Sequence, residues 1–141
     1  ITNDDATSGQ GQVINSPGPG STLTGGAGAD TLNASQGADT LTGGAGGDRF
    51  VYADAPWNAG RVTDFTPGTD KIDVRGILDD AGYTGTNAIA DRYVLLENVS
   101  GGVKVIIDMD GPGASGQWPI TVTTLSGVSA SQLSSSDWIF Q

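Results

Sequence analysis

Residues 25–51 read, in nines, as GGAGADTLN (25–33), ASQGADTLT (34–42) and GGAGGDRFV (43–51). Leu32, Leu41 and Phe50 recur nine residues apart, and Asp30, Asp39 and Asp48 recur in the same frame. Extended backwards, the frame passes through SPGPGSTLT from Ser16 and TSGQGQVIN from Thr7. Those two nines keep Leu23 and Ile14 at the apolar position but carry Ser21 and Gln12 where the aspartate would be. Extended forwards, it fails at YADAPWNAG from Tyr52. One apolar residue in nine cannot make an amphipathic helix, whose buried stripe takes three or four per two turns. A plain hairpin ladder is excluded too, because each nine holds one short strand and one glycine turn. The pattern predicts stacked rungs, five by apolar spacing and three by aspartate spacing.

Within a rung, Gly25, Gly26 and Gly28 are expected to supply the positive φ angles of a tight turn. The strand Thr31-Leu32-Asn33 points its central side chain one way and its neighbours the other. Leu32, Leu41 and Phe50 then fill a narrow core. Stacking also brings the turn carboxylates within a few ångströms, where like charges repel unless protonated or neutralised. A hard cation such as Ca²⁺ relieves that repulsion by gathering carboxylate and main-chain carbonyl oxygens. Thr22, Thr31 and Thr40 recur at nine as well, the kind of repeated threonine file that an ice-binding plane requires.

Composition narrows the remaining functions. The 141 residues include 15 Asp, one Glu and 23 Gly, with no Cys and no His, and the net charge is −10. Gly and Asp favour turns over helix interiors. Without Cys there is no disulfide framework or thiol nucleophile, and without His no Ser-His-Asp triad. The negative charge argues against nucleic acid or an anionic membrane as partner. Nothing marks a carboxylic acid for catalysis, so the chain is read as no enzyme. The longest apolar stretch, Val103 to Ile107, is interrupted by Lys104 and falls far short of the roughly 18 residues of a membrane span. No basic, apolar signal peptide opens the sequence, and the start at Ile1 predicts a fragment of a larger polypeptide lying N-terminal to it.

From Arg61 the pattern changes to short alternating stretches: RVTDF (61–65), KIDV (71–74), RYVLLE (92–97), GVKVIID (102–108) and PITVTTL (119–125). They predict short strands, largely antiparallel, with helical turns around Ile77 to Gly82 and Ser129 to Leu133. Trp57, Trp118 and Trp138 are expected in the core. The expected architecture is all-β: a short parallel β-roll capped by a C-terminal antiparallel β segment. Residues 1–15 would be a linker or frayed start, 16–60 the roll, and 61–141 a capping and secretion-signal region continuous with it.

Residues 25–51 resemble the RTX (hemolysin-type) nonapeptide repeats of secreted bacterial proteins. The resemblance implies two nonapeptides per coil, so that turns 18 residues apart stack. It further implies Ca²⁺ between the turns 25–30 and 43–48, held by Asp30 and Asp48 with carbonyls near Gly25, Ala27, Gly43 and Ala45. Asp39 is the matching residue of the middle turn, with Asp54 nearby. RVTDFTPGTDKIDVRGI is similar to the segment following the last repeat in RTX proteases and alginate epimerase modules, which adds Asp64 and Asp70 as ligands and raises the same question for Asp73. Asp108 and Asp110, in the turn IDMDGPG, are further candidates. The closing SSSDWIFQ is like the uncleaved C-terminal signals of type I secretion. The implied function is calcium-dependent extracellular folding and type I secretion of a larger protein, secreted or held at the cell surface, with calcium ions and the export machinery as partners. The alternative is a polysaccharide- or surface-binding module of an adhesin or an enzyme such as an alginate epimerase, with Trp57 and Trp118 as a sugar platform.

Overall fold

The computed structural model describes residues 11–113 and 119–141. Trp118 lies outside these. Two sheets face each other. The first contains β1 (Val13–Asn15), β3 (Thr31–Asn33), β5 (Arg49–Val51), β7 (Lys71–Asp73) and β11 (Trp138–Ile139), in that order and all parallel. The second contains β2 (Thr22–Gly26), β4 (Thr40–Gly44) and β6 (Gly60–Val62) in parallel, then β10 (Ile120–Ser126) parallel to β6. It finishes antiparallel through β9 (Gly102–Ile107) and β8 (Val94–Val99). The fold is an all-β roll with an antiparallel extension. Among the described residues the one α-helix, α1, spans only Arg75–Asp80.

Register explains the core. Ile14, Leu32, Phe50, Ile72 and Trp138 pair in succession along the first sheet, and Leu23, Leu41, Val62 and Leu125 along the second. Each coil contributes one side chain to each column, successive nines supplying the two sheets in turn, and all but half-buried Ile14 are buried. Fully burying a side chain of this kind contributes roughly 1.5–3 kcal/mol. The roll derives its stability from these two columns, since no rung could cover its own apolar residue.

Several expectations change. Strands β6 and β7 run parallel to the rungs before them, although an antiparallel arrangement was expected there. The threonines recurring at nine do not share a plane: Thr22 and Thr40 pair in one sheet while Thr31 lies in the other. Half a coil separates each nine from the next, so an ice-binding file is not formed. Trp57 is 71% exposed rather than packed, whereas Trp138 is buried. Within residues 25–51 the positive φ angles fall at Gly44 (97°) and Gly46 (103°), and not at Gly25, Gly26 or Gly28. Close approach is what Gly25 is needed for: a Cβ there would collide with the Asp30 carboxylate and the Gly43 carbonyl.

Candidate metal centre

The turns leaving the second sheet for the first (27–30, 45–48 and 63–70) stack along one edge of the roll. Each ends in a buried aspartate immediately before a strand: Asp30, Asp48 and Asp70. The side chains repeat one hydrogen-bonding scheme. One carboxylate oxygen accepts the amide of the rung before, from Gln12 to Asp30 (2.8 Å), from Asp30 to Asp48 (2.9 Å) and from Asp48 to Asp70 (2.9 Å). The other closes its own turn, from Gly26 to Asp30 (2.6 Å) and from Thr66 to Asp70 (2.8 Å). These carboxylates therefore clip successive coils together, apart from any metal.

Asp48 breaks the scheme. Its Oδ2 is buried and has no hydrogen-bond partner, because the amides of Gly43 and Gly44 turn instead to the two oxygens of Asp64, at 2.9 and 2.8 Å. Burial, together with the charges of Asp70, Asp30 and Asp64, pushes the Asp48 carboxyl up to about 6 against the lowering effect of the Asp30 amide. Burial and Asp64 push Asp70 up as well, against the hydrogen bonds it accepts from Asp48 and Thr66. An unpartnered carboxylate oxygen in a field of like charges is a site that favours a cation.

The donors present fit Ca²⁺. Among the described residues no three Asp or Glu side chains converge on one point, so a chelate must draw on main-chain oxygens. Beside Gly25 the Gly43 carbonyl and the Asp30 carboxylate approach the same space, and beside Gly43 stands the Asp48 carboxylate. Gly25 and Gly43 thus leave room where oxygens of adjacent turns meet. Ala27 and Ala45 are exposed in the middle of these turns, and the Ala45 amide donates to the Gly26 carbonyl at 2.9 Å. Oxygen donors of mixed carbonyl and carboxylate type suit hard cations that take six to eight ligands.

Asp39 lies elsewhere. It ends the turn 34–39, on the opposite edge of the roll, and accepts the amides of Ser21 (2.8 Å) and Ser35 (2.6 Å). Burial raises its carboxyl, but the amide hydrogen bonds from Ser35 and Ser21 outweigh that and leave it below the ordinary value. Asp54 is exposed on that edge. Asp73 is buried and paired with Arg75 at 2.7 Å. Asp108 accepts the Asp110 amide in the turn after β9.

One member of the file is missing from the repeat frame. Asp137 is buried just before β11, accepts the Gly68 amide (2.6 Å) and the Ser134 amide (2.8 Å), and so repeats the two-amide scheme at the last rung. Lys71 Nζ donates to the neighbouring Ser136 carbonyl. The sequence signal was an aspartate followed by apolar residues, which reads equally well as a linear export signal.

Residues 19–50 match the profile of the RTX calcium-binding nonapeptide repeat in four copies. Among solved structures, the AlgE6R3 subunit of the mannuronan C5-epimerase from Azotobacter vinelandii is 27% identical with a TM-score of 0.63, covering 92% of this chain and 74% of that one. The AlgE6R2 subunit of mannuronan C5-epimerase from the same organism is 22% identical with a TM-score of 0.45, covering 97% and 96%. No curated protein sequence matches significantly. The repeating turns, the two parallel sheets and the profile agree: residues 19–50 are RTX calcium-binding nonapeptide repeats wound into a parallel β-roll.

Proposed function

We propose that the chain is a calcium-dependent folding module for a larger protein that is secreted, or displayed at the cell surface, by type I secretion. The observation that carries this reading is Asp48, buried with one oxygen unpartnered and surrounded by Asp30, Asp64 and Asp70. In calcium-poor cytosol this edge repels itself and the roll is destabilised. At the roughly millimolar Ca²⁺ outside cells, even weak sites of the extracellular class load, and binding free energy becomes folding free energy. The ligands we assign are Asp30 and Asp48 with the carbonyls of Gly25, Ala27, Gly43 and Ala45, then Asp64 and Asp70 at the next pair of turns. Asp39 serves the opposite edge. The repeat roll itself is a structural calcium-binding module, and we assign no catalysis to the rest of the chain. Circular dichroism tests the reading: calcium-stripped protein should give a coil spectrum for the roll, and Ca²⁺ should restore the β signal. A full native spectrum without calcium would refute it.

A second reading, attachment to a polysaccharide or surface, is favoured by Trp57, which stands 71% exposed on the turn 52–59. The similar AlgE6R3 subunit belongs to an enzyme named for mannuronan. Retention on an insoluble polysaccharide that Trp57→Ala abolishes would identify this role, and unchanged retention would remove it.

A further inference from the structure

Two rungs of the roll carry another residue where the aspartate would be, Gln12 on one edge and Ser21 on the other. Both keep the main-chain part of the scheme: the Gln12 amide donates to Asp30 Oδ1 and the Ser21 amide to Asp39 Oδ1, each at 2.8 Å. Their side chains differ. Ser21 Oγ donates to the Gly18 carbonyl at 2.6 Å and is satisfied within its own turn. Gln12 is only 5% exposed, and its Oε1 and Nε2 are both buried without a hydrogen-bond partner.

A buried carboxamide that neither donates nor accepts costs stability, and such a group points to something that fills the space beside it. Val13 pairs with Thr31, so Gln12 stands one coil from Asp30, at the N-terminal end of the file of Asp30, Asp48 and Asp70. Each Asp30 oxygen accepts one amide, from Gln12 and from Gly26, and a carboxylate oxygen keeps a second lone pair free. Among the described residues the ion pairs are Arg75–Asp73 and Lys104–Glu97, so no cationic side chain neutralises Asp30. A further oxygen comes close, since a Cβ on Gly11 would collide with the Ala29 carbonyl.

Side-chain amide oxygens belong to the calcium ligand set alongside carboxylates and main-chain carbonyls. A water molecule would satisfy the Gln12 amide and leave the charge of Asp30 unanswered, whereas a cation meets both. We propose that Gln12 Oε1 and the Asp30 carboxylate hold a further Ca²⁺ at the N-terminal coil of the roll, with Gln12 outside the residues 19–50 that match the repeat profile. The proposal rests on the calcium-binding reading of the roll and extends it to a rung that has no aspartate of its own. Because Gln12 brings no charge, this ion is held more weakly than those at the aspartate turns and loads last. It fastens β1 to the roll once those turns are filled.

Counting the ions bound to the full chain in roughly millimolar Ca²⁺, by equilibrium dialysis and elemental analysis, tests it against Gln12→Met and Gln12→Asp. Gln12→Met keeps the length of the side chain and removes both polar atoms. It should bind one Ca²⁺ fewer and lose the weakest step of a calorimetric titration. Gln12→Asp should keep the count and tighten that step by about tenfold or more, since a charged ligand replaces a neutral one. In nitrogen-15-labelled wild-type protein the Gln12 side-chain NH2 signals should move at that same last step. An unchanged count in Gln12→Met, with a calcium-loaded melting temperature equal to or above that of the wild type, would overturn the proposal; the amide then holds water at most. Weaker calcium binding by Gln12→Asp, or NH2 signals indifferent to the last step, would overturn it too. If Gln12→Met fails to fold in calcium, Gln12→Asp and the NH2 signals decide. Wild-type protein that binds no calcium would refute the folding role as well, whereas calcium in the wild type with an unchanged count in Gln12→Met refutes the Gln12 site alone.

Discussion

At Asp48, burial and the charges of Asp70, Asp30 and Asp64 act in the same direction, and its carboxyl is held near 6. The ordinary value is 3.8. Between those two values the folded chain binds more protons at this position than the unfolded chain does, so stability falls as pH rises through the window. Asp70, also raised, adds in the same sense; Asp39, lowered, opposes it weakly and only as pH drops into its own range. Calcium-stripped protein should therefore retain more β structure near pH 4.5 than near pH 7, and saturating Ca²⁺ should reverse the order. Asp48→Asn should flatten the metal-free pH dependence and weaken calcium binding together. Circular dichroism across pH checks this, and a metal-free β signal that grows toward pH 7 would contradict it. The identities of the repeat aspartates were legible from spacing alone, but their inequality was not. Asp30, Asp39 and Asp48 occupy equivalent places in the frame, yet only Asp48 keeps an unpartnered buried oxygen, because Asp64 draws away the amides of its turn.

At the scale of the strands, the unit of stability is a single apolar side chain stacked on its counterparts in neighbouring rungs. Phe50 sits between Leu32 and Ile72 and also meets the Phe65 ring, with centroids 6.2 Å apart. Phe50→Ala should cost about 3–5 kcal/mol, the range for emptying a packed aromatic site, and chemical denaturation of the calcium-loaded protein measures it. A loss below 1 kcal/mol would mean that the column does not carry the fold. Rungs one to three were readable because their spacing is constant. The next was not: Asp30 and Asp48 bond across 18 residues, whereas Asp48 and Asp70 bond across 22. A few extra residues in a turn cost little loop entropy, so the coil tolerates them while the periodic signal is lost.

Over the whole molecule, the two columns are finished by residues from the far end of the chain. Leu125 of β10 stacks on Val62, and Trp138 of β11 stacks on Ile72. The last strand is fastened further by Asp137 on the Gly68 amide and Lys71 on the Ser136 carbonyl. Without these strands, both sheets would end on unpaired edges and uncovered apolar side chains. A chain ending at Asp80 is therefore expected to stay largely unfolded even in millimolar Ca²⁺, and calcium-induced circular dichroism checks it. A native-like roll from that shortened chain would show that the repeats cap themselves. Under the proposed export role, the burial of Trp138 requires the C-terminal segment to be read before the roll has folded, since a segment docked as a strand is no longer a linear signal.

The sequence by itself determined the rung and the inward residue of each repeat strand, because period nine and strand alternation are local geometric facts, whereas a frame of nine puts Asp30, Asp39 and Asp48 on one face and the fold sends Asp39 to the opposite edge. The tertiary structure decided what depends on distant partners. It placed Trp138 in the core and Trp57 outside it, added Asp137 to the aspartate file, and left one oxygen of Asp48 without a donor. Those outcomes rest on which backbone amide reaches which carboxylate across 18 to 69 residues, and chain spacing alone holds no record of that competition.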